Sequence, residues 1–413
     1  MILELKKISR FFKKQGFFVF LGRLYYVITT FLISFFLTKY LSEDDYGKYK
    51  FFFSIFSLLS VFSLLNSADI LMKYIDRIKN NFLLFNLIRY RLKFSLLGFM
   101  LLTVITLFKF SSESSIYALF FTCLCFLPFY SLDSYIPYYN SQLNFRKLNI
   151  NFILRDSIKI ISLLIGVFFG ASFAELLLIF IGSVSASNFL FVTEIYYKQK
   201  NKKPVFKKIS KLIRSQTLTL SIIGVLGIFR YNVDKILIGN YENYESLAVY
   251  SIGVLVGTNI NSFFKIFLNT VNAKLVYIKL NKTYYLILLL SGTLIGVFLS
   301  FLIIPYFFEL IYGVNYINGL IYCQIIVSSL GLLFIKTIYY NSSLLHKNNN
   351  IKVVHRNNIL TPLIIIIYMI LIFFSSEIES SEKFIYLSLM FPLEYILNII
   401  IIYLNKLQFG NTK

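Results

Sequence analysis

No tryptophan occurs in the 413 residues, and cysteine, histidine and proline are scarce, at three, two and six copies. Cys123, Cys125 and Cys323 all fall inside long apolar runs, with neither metal-ligand spacing nor the layout of a disulfide framework. His346 and His355 share one hydrophilic loop with no acidic or thiol cluster near them, so no metal centre and no cofactor are expected. Charge is sparse too: 15% of residues are Asp, Glu, Lys or Arg, against roughly a quarter in a soluble domain. The missing tryptophan accompanies an excess of Ile, Phe, Lys, Asn and Tyr, a bias that AT-rich coding explains without reference to function.

What fills the chain is apolar sequence. Hydrophobic residues make up 57% and mean hydropathy is +0.72. A run of about 20 apolar residues crosses the roughly 30 Å hydrocarbon core as a helix. Twelve such runs are centred in 17–39, 51–71, 94–110, 116–138, 150–170, 174–196, 216–238, 247–271, 284–306, 318–341, 359–375 and 384–404. They are continuous rather than alternating, which argues against a β-barrel. The expected fold is an all-α integral membrane protein of about twelve transmembrane helices. The basic start followed by an apolar run resembles a signal peptide, but no small-residue cleavage site follows, so 17–39 is expected to remain as the first span.

The chain repeats itself at an offset of 201 residues. Tyr138-Tyr139-Asn140-Ser141 with Leu143 returns as Tyr339-Tyr340-Asn341-Ser342 with Leu344. At the same offset Tyr40 meets Tyr241, Tyr49 meets Tyr250, Lys73 meets Lys274, Ile150 meets Ile351 and Arg155 meets Arg356. The basic loop 198–214 stands at the centre, giving an N-terminal six-helix lobe over 1–205 and a C-terminal six-helix lobe over 206–413. Six spans per lobe give both lobes the same orientation. Two homologous lobes with a substrate path between them is a transporter plan.

The formal charge of +22 would suit a nucleic-acid binder if it formed one patch. Instead the Lys and Arg residues concentrate in the termini and alternate loops. The opposite loops hold only Lys39, Lys48, Lys50, Lys109 and Lys383, and carry the acids Glu43, Asp44, Asp45, Glu242, Glu245, Glu377, Glu379 and Glu382. The positive-inside rule then places both termini in the cytoplasm and removes nucleic acid from the candidate partners. The outward loops are all short, which excludes a sizeable extracytoplasmic catalytic domain. Residues 79–92 read as an amphipathic segment on the inner surface, or as an early start of the third span.

Three stretches carry a family pattern: Thr-Lys-Tyr-Leu-Ser-Glu-Asp-Asp-Tyr-Gly-Lys-Tyr at 38–49, Val-Asp-Lys-Ile-Leu-Ile-Gly followed by Ala-Val-Tyr within 233–250, and Glu-Leu-Ile-Tyr-Gly-Val-Asn-Tyr at 309–316. Together they resemble the Wzx-type flippases of bacterial polysaccharide biosynthesis, in the MOP superfamily that includes the MATE exporters. Ser42, Lys235 and Tyr312 stand where the family pattern has Gly, Arg and Phe. The resemblance implies transfer of undecaprenyl-pyrophosphate-linked oligosaccharide repeat units (as for O-antigen) across the bacterial cytoplasmic membrane. It also implies a polysaccharide polymerase and a chain-length regulator as possible partners. Read physically, Gly47 permits a tight turn and Glu43-Asp44-Asp45 cap the second span.

Charges inside apolar runs cost roughly 2.5–3.5 kcal/mol each on insertion scales, so they mark candidate sites. The cations Arg23, Arg155, Lys159, Arg230, Lys265 and Lys336 suit phosphate oxygens and are the candidate substrate-binding residues. The acids Asp133, Asp156, Asp234 and Glu394 are the candidate counter-ions or coupling groups. Arg23 has no acid in its span. Asp156 can pair with Lys159 at i+3, leaving Arg155 unmatched, and Arg230 with Asp234 reads as an intrahelical pair. Lys265 and Lys336 can snorkel toward the headgroups. Glu394 looks isolated near mid-span, the environment of a protonated carboxyl. Gly166-x-x-x-Gly170 and Gly253-x-x-x-Gly257 suit close helix packing, and the Tyr-Asn-Ser repeats read as helix ends. A MATE-like multidrug or cation exporter is the second reading, and a polytopic polysaccharide polymerase the third.

Overall fold

The computed structural model describes residues 2–60, 88–89, 91–93, 95–96, 100, 127–130, 132–142, 144–199, 211–275, 282–345 and 350–410. Among the described residues there is no strand. The helices are α1 (Ile2–Tyr40), α2 (Glu43–Leu59), α3 (Leu127–Tyr130), α4 (Tyr135–Ser141), α5 (Phe145–Phe168), α6 (Phe173–Gln199) and α7 (Lys211–Tyr241). They continue with α8 (Tyr244–Leu275), α9 (Lys282–Phe298), α10 (Ile304–Tyr312), α11 (Leu320–Ser328), α12 (Leu330–Leu345), α13 (Asn350–Phe374), α14 (Ser380–Ser388) and α15 (Met390–Gly410). Most of each of the expected spans 94–110, 116–138 and 51–71, of the central loop 198–214 and of segment 79–92 lies outside the described residues.

Six described stretches are long and apolar enough to cross a membrane: Phe20–Tyr40, Phe173–Tyr197, Tyr244–Ile266, Tyr285–Tyr312, Arg356–Phe374 and Glu382–Leu404. Val314–Ser328 with Leu330–Tyr339 makes a seventh as one span bent by 41°. Helices α5 and α7 are also long enough, but each carries five charges along its length: Arg146, Lys147, Arg155, Asp156 and Lys159 in one, Lys211, Arg214, Arg230, Asp234 and Lys235 in the other. The outer faces suit lipid. Leu294, Leu302 and Tyr306 are 71%, 67% and 71% exposed, a density of bare apolar surface that water would not tolerate.

The described residues divide into two compact units, Met1–Phe36 with Phe52–Ile228, and Leu37–Phe51 with Phe229–Lys413. In the first unit a core of Ile88, Leu132, Tyr135, Tyr139, Leu148, Phe191, Val192 and Ile195 joins α4, α5 and α6. The turn between α5 and α6 is written locally. Gly170, at φ 76°, ends α5 with Ala171 N–H donating to Gly166 O and Gly170 N–H to Val167 O. Ser172 and Glu175 then cap α6 reciprocally, Ser172 N–H reaching Glu175 Oε2 at 2.7 Å. Gly170 therefore terminates a helix, where the Gly-x-x-x-Gly spacing suggested packing.

In the second unit, glycines allow α8, α9 and the bent pair to approach closely. A Cβ at Gly253 would lie 2.1 Å from Gly319 O, one at Gly257 2.9 Å from Ile326 Cβ, and one at Gly292 2.7 Å from Gly331 Cα. Pro305, at the start of α10, lacks the N–H that would continue the ladder, and a π-helical turn at Leu299–Ile303 absorbs the defect. The repeat is visible in the helix ends: α1 and α7 stop at Tyr40 and Tyr241, and α2 and α8 start at Glu43 and Tyr244, 201 residues apart. The caps match as well. Ser42 Oγ accepts from Asp45 N–H at 3.1 Å, and Asn243 Oδ1 from Ser246 N–H at 2.6 Å. Ser42 is thus the cap of α2, and the three acids that follow it occupy its first turn. The second Tyr-Asn-Ser copy does not end a helix, since α12 continues to Leu345.

Candidate functional site

The charges singled out in the spans are not isolated; most meet a partner on another helix. In the first unit, α5 carries Asp156, fully buried, whose Oδ1 lies 3.0 Å from Lys159 Nζ and 3.3 Å from both Arg155 Nε and Nη2. The expected gap at Arg155 is therefore closed, because one carboxylate oxygen serves two cations. Aromatic faces complete their surroundings: Lys159 Nζ is 5.7 Å from the Tyr26 ring and 5.4 Å from Phe180, and Arg155 is 5.2 Å from Phe152. Asp156 Oδ2 is buried without a hydrogen-bond partner. Tyr25 and Ser157 hydroxyls share a 2.6 Å hydrogen bond that ties α1 to α5 beside the cluster.

Arg23, two residues before that tie, is exposed and makes no ion pair among the described residues. Its neighbour Gly22 lets α1 approach α5, since a Cβ there would lie 2.4 Å from Asn149 Oδ1.

Asp133 has a partner that spacing did not reveal. Arg91 Nη1 donates to it at 2.8 Å and to Ser134 Oγ at 3.1 Å. Arg91, within the segment 79–92, is wholly buried. The i,i+42 separation carries no sequence signal.

In the second unit, Arg230 and Asp234 do not form the expected intrahelical pair. Arg230 on α7 donates through Nη2 to Glu394 Oε2 on α15. Asp234 instead accepts from Lys235 Nζ at 3.2 Å and from Tyr250 OH on α8 at 2.9 Å. The longer arginine side chain reaches a carboxylate on the neighbouring helix, and Asp234 is held by a hydroxyl of its own repeat motif.

Glu394 is accordingly not an isolated carboxyl. Its other oxygen, Oε1, accepts from Lys336 Nζ on α12 at 2.6 Å, so Lys336 turns inward rather than snorkelling. Asn398 Nδ2 donates to the Glu394 carbonyl at 2.7 Å, and Asn357 of α13 hydrogen-bonds Asn398. Lys336 Nζ also stands 5.0 Å over the Tyr395 ring, whose hydroxyl accepts from Asn261 Nδ2 at 3.2 Å. The exposed Lys265 on α8 acts electrostatically on the same carboxylate. Five helices thus meet around one acid and the two cations paired with it.

The three motif stretches of the sequence converge elsewhere in this unit. Tyr46 and Tyr316 rings meet edge-on at 6.3 Å, Tyr46 stacks with Tyr49, and Phe51 meets Tyr244 at 5.6 Å. Gly47 lies within α2, not in a turn, and a Cβ on it would fall 1.9 Å from the Tyr244 carbonyl oxygen. Gly313, at φ 85°, ends α10 where only the left-handed region turns the chain into the next segment. These residues are buried packing, and the motif is a structural joint.

Apolar helices enclosing charge clusters define an all-α multi-pass membrane protein. No protein-family model and no curated protein matches the chain. Solved structures do. The chain is similar over 95% of its length to 96% of an inward-facing multidrug resistance MATE family transporter of the MOP superfamily, with TM-score 0.59 and 11% identity. It is similar to a Vibrio cholerae MATE transporter at TM-score 0.58 and 11% identity, over 98% of each chain. An outward-facing MATE family transporter of the MOP superfamily matches at TM-score 0.58 and 10% identity, over 97% of this chain and 96% of that one. At such identities the likeness establishes the fold: the MATE-like arrangement of twelve helices in two homologous six-helix lobes.

Proposed function

We propose that the protein is a flippase for lipid-linked oligosaccharides. It would carry undecaprenyl-pyrophosphate-linked repeat units from the inner to the outer leaflet of a bacterial cytoplasmic membrane by alternating access, with both termini cytoplasmic and lobes at 1–205 and 206–413. The observation that carries this reading is the sign of the embedded charge. Asp156 faces both Arg155 and Lys159, Glu394 faces Arg230 and Lys336, and Arg23 has no described acid beside it. A path lined with surplus cations favours an anionic cargo, and a diphosphate head offers the oxygens that Arg and Lys bind best. The protein's work is then carriage, not catalysis. Arg23 makes the first headgroup contact, with Arg155, Lys159, Arg230, Lys265 and Lys336 following. Asp133, Asp156, Asp234 and Glu394 act as counter-ions.

The second reading is a multidrug or cation exporter, supported by the fold of the MATE transporters that the chain resembles. One experiment separates them: expression in a bacterium lacking its own oligosaccharide flippase, scoring surface glycan against accumulated lipid-linked repeat units. Restored glycan with the wild type and its loss with Arg23→Ala are expected. Full glycan with Arg23→Ala refutes the role of that residue. Failure across several glycan backgrounds, with altered resistance to cationic drugs, moves the assignment to the exporter.

A further inference from the structure

We infer that Glu394 is an internal stand-in for the anionic headgroup: it holds Arg230 and Lys336 paired until a diphosphate displaces it. The inference rests on the reading of the chain as a carrier of an anionic lipid, and specifies how one part of that path is regulated.

Glu394 divides its two oxygens between cations from two different helices, Oε2 to Arg230 of α7 and Oε1 to Lys336 of α12. A carboxylate spread in this way imitates one edge of a phosphate. The match is incomplete in the direction a larger anion would correct. Arg230 engages Glu394 through Nη2 alone, while its Nε is buried without any hydrogen-bond partner. The guanidinium fork binds phosphate best through two parallel N–H groups, so one of the two preferred donors stands unspent. Charge points the same way. Arg230 and Lys336 share one carboxylate, which leaves the cluster positive at a depth where surplus charge is costly. A diphosphate carries more charge and more acceptor oxygens than Glu394, so it can take over both cations.

The Lys336 side chain is 17% exposed, against 5% for Arg230 and 7% for Glu394. The incoming anion therefore meets Lys336 first and draws the ammonium from Glu394 before Arg230 is released. Asn398, anchored to the Glu394 carbonyl, remains to receive the freed carboxylate, since its Nδ2 already lies 3.4 Å from Oε1. A cluster that merely tied helices together would be stabilised by its own carboxylate and indifferent to added anion.

The test is thermal stability of the purified full chain in lipid nanodiscs, titrated with inorganic pyrophosphate at constant ionic strength. Wild type is expected to be protected weakly. Glu394→Gln, which keeps the shape and removes the competing charge, is expected to reach half-maximal protection at about tenfold or more lower pyrophosphate, and adding Lys336→Gln abolishes that gain. Tenfold corresponds to about 1.4 kcal/mol of competition removed. Should Glu394→Gln fold only when purified with pyrophosphate present, that rescue supports the exchange. Failure of pyrophosphate to rescue it, or equal half-points in wild type and Glu394→Gln, overturns it. A prenyl diphosphate protecting at lower concentration than pyrophosphate assigns the site to a lipid headgroup, and equal protection assigns it to free diphosphate. Both keep the exchange. Glycan transport intact with no Glu394 effect on pyrophosphate refutes only the exchange. A Glu394 effect without glycan transport keeps the exchange and removes the glycan.

Discussion

Replacing Gly47 by Ala separates two opposed effects by sign. In a helix interior Ala is favoured over Gly by about 1 kcal/mol, and Gly47 lies inside α2, so helix propensity alone makes the substitution stabilising. The structure gives the opposite answer. A Cβ at residue 47 would stand 1.9 Å from Tyr244 O, 2.5 Å from Tyr244 C and 2.9 Å from Tyr244 Cα, far inside the 3.4 Å at which ordinary contact begins. Those are backbone atoms at the start of α8, so no rotamer change relieves them. The two helix ends must part by roughly 1.5 Å, and overpacking of this kind costs about 1–3 kcal/mol. With the obstacle rigid we take the upper half of that range, leaving a net loss of about 1–2 kcal/mol and a melting temperature lower by roughly 1–2.5 °C for a chain of this length. Gly227 is the control, because a Cβ there meets nothing within 4 Å. Gly227→Ala should therefore gain about 0.4–1 kcal/mol. Both variants are measured by heating detergent-solubilised protein and following the monodisperse fraction by gel filtration. A melting temperature for Gly47→Ala at or above wild type, while Gly227→Ala behaves as stated, refutes the close approach of α2 and α8.

Arg91→Met should destabilise the first unit by about 3 kcal/mol, the lower end for a broken buried pair because Asp133 is 30% exposed and partly hydrated when left alone. Asp133→Asn combined with Arg91→Met should lose less than the sum of the two, measured by the same heating assay; strict additivity would mean that the pair does not interact. Ser172→Ala removes one half of the capping box of α6 and should cost about 1 kcal/mol, with Glu175→Ala adding little on top of it. Full additivity of those two would show that they act separately.

Most of the fold was legible in the sequence because it is dictated by local and periodic properties. Span length, apolar continuity and the 201-residue repeat all survive translation into helices, and the repeated helix boundaries at 40/241 and 43/244 follow from caps that sit one or two residues away. What was illegible is whatever depends on a second helix. Spacing of four residues suggested Arg230 with Asp234, and the actual partner is 164 positions away. Glu394 looked alone because nothing within a turn of it is charged, yet two cations converge on it from α7 and α12. Segment 79–92 could be read as amphipathic surface or as the start of a span, and nothing local showed that Arg91 within it pairs with Asp133, 42 residues later. Gly47 was read as a turn residue because glycine tolerates turns, when its use here is the absence of a side chain beside another backbone. The Gly166-x-x-x-Gly170 pattern was half right: Gly166 does sit against α6, where a Cβ would lie 2.7 Å from Ile179 Cδ1, while Gly170 is a left-handed residue that ends α5.

The clusters repeat a plan that the duplication itself did not supply. In the first unit one carboxylate, Asp156, is shared by Arg155 and Lys159; in the second, Glu394 is shared by Arg230 and Lys336. These positions are not related by the 201-residue offset, since Arg155 corresponds to Arg356 and Glu394 to Thr193. The two-to-one ratio of directly paired cations to carboxylate is therefore not a product of the repeat, and in both units it leaves one positive charge over in the pairing. Helix association alone gives no reason for the surplus: a matched pair would tie the helices at lower electrostatic cost, and an apolar contact at lower cost still. A carrier for cations would be burdened by it in each half. A carrier whose cargo brings its own negative charge needs it, because the excess makes the occupied state the electrically balanced one.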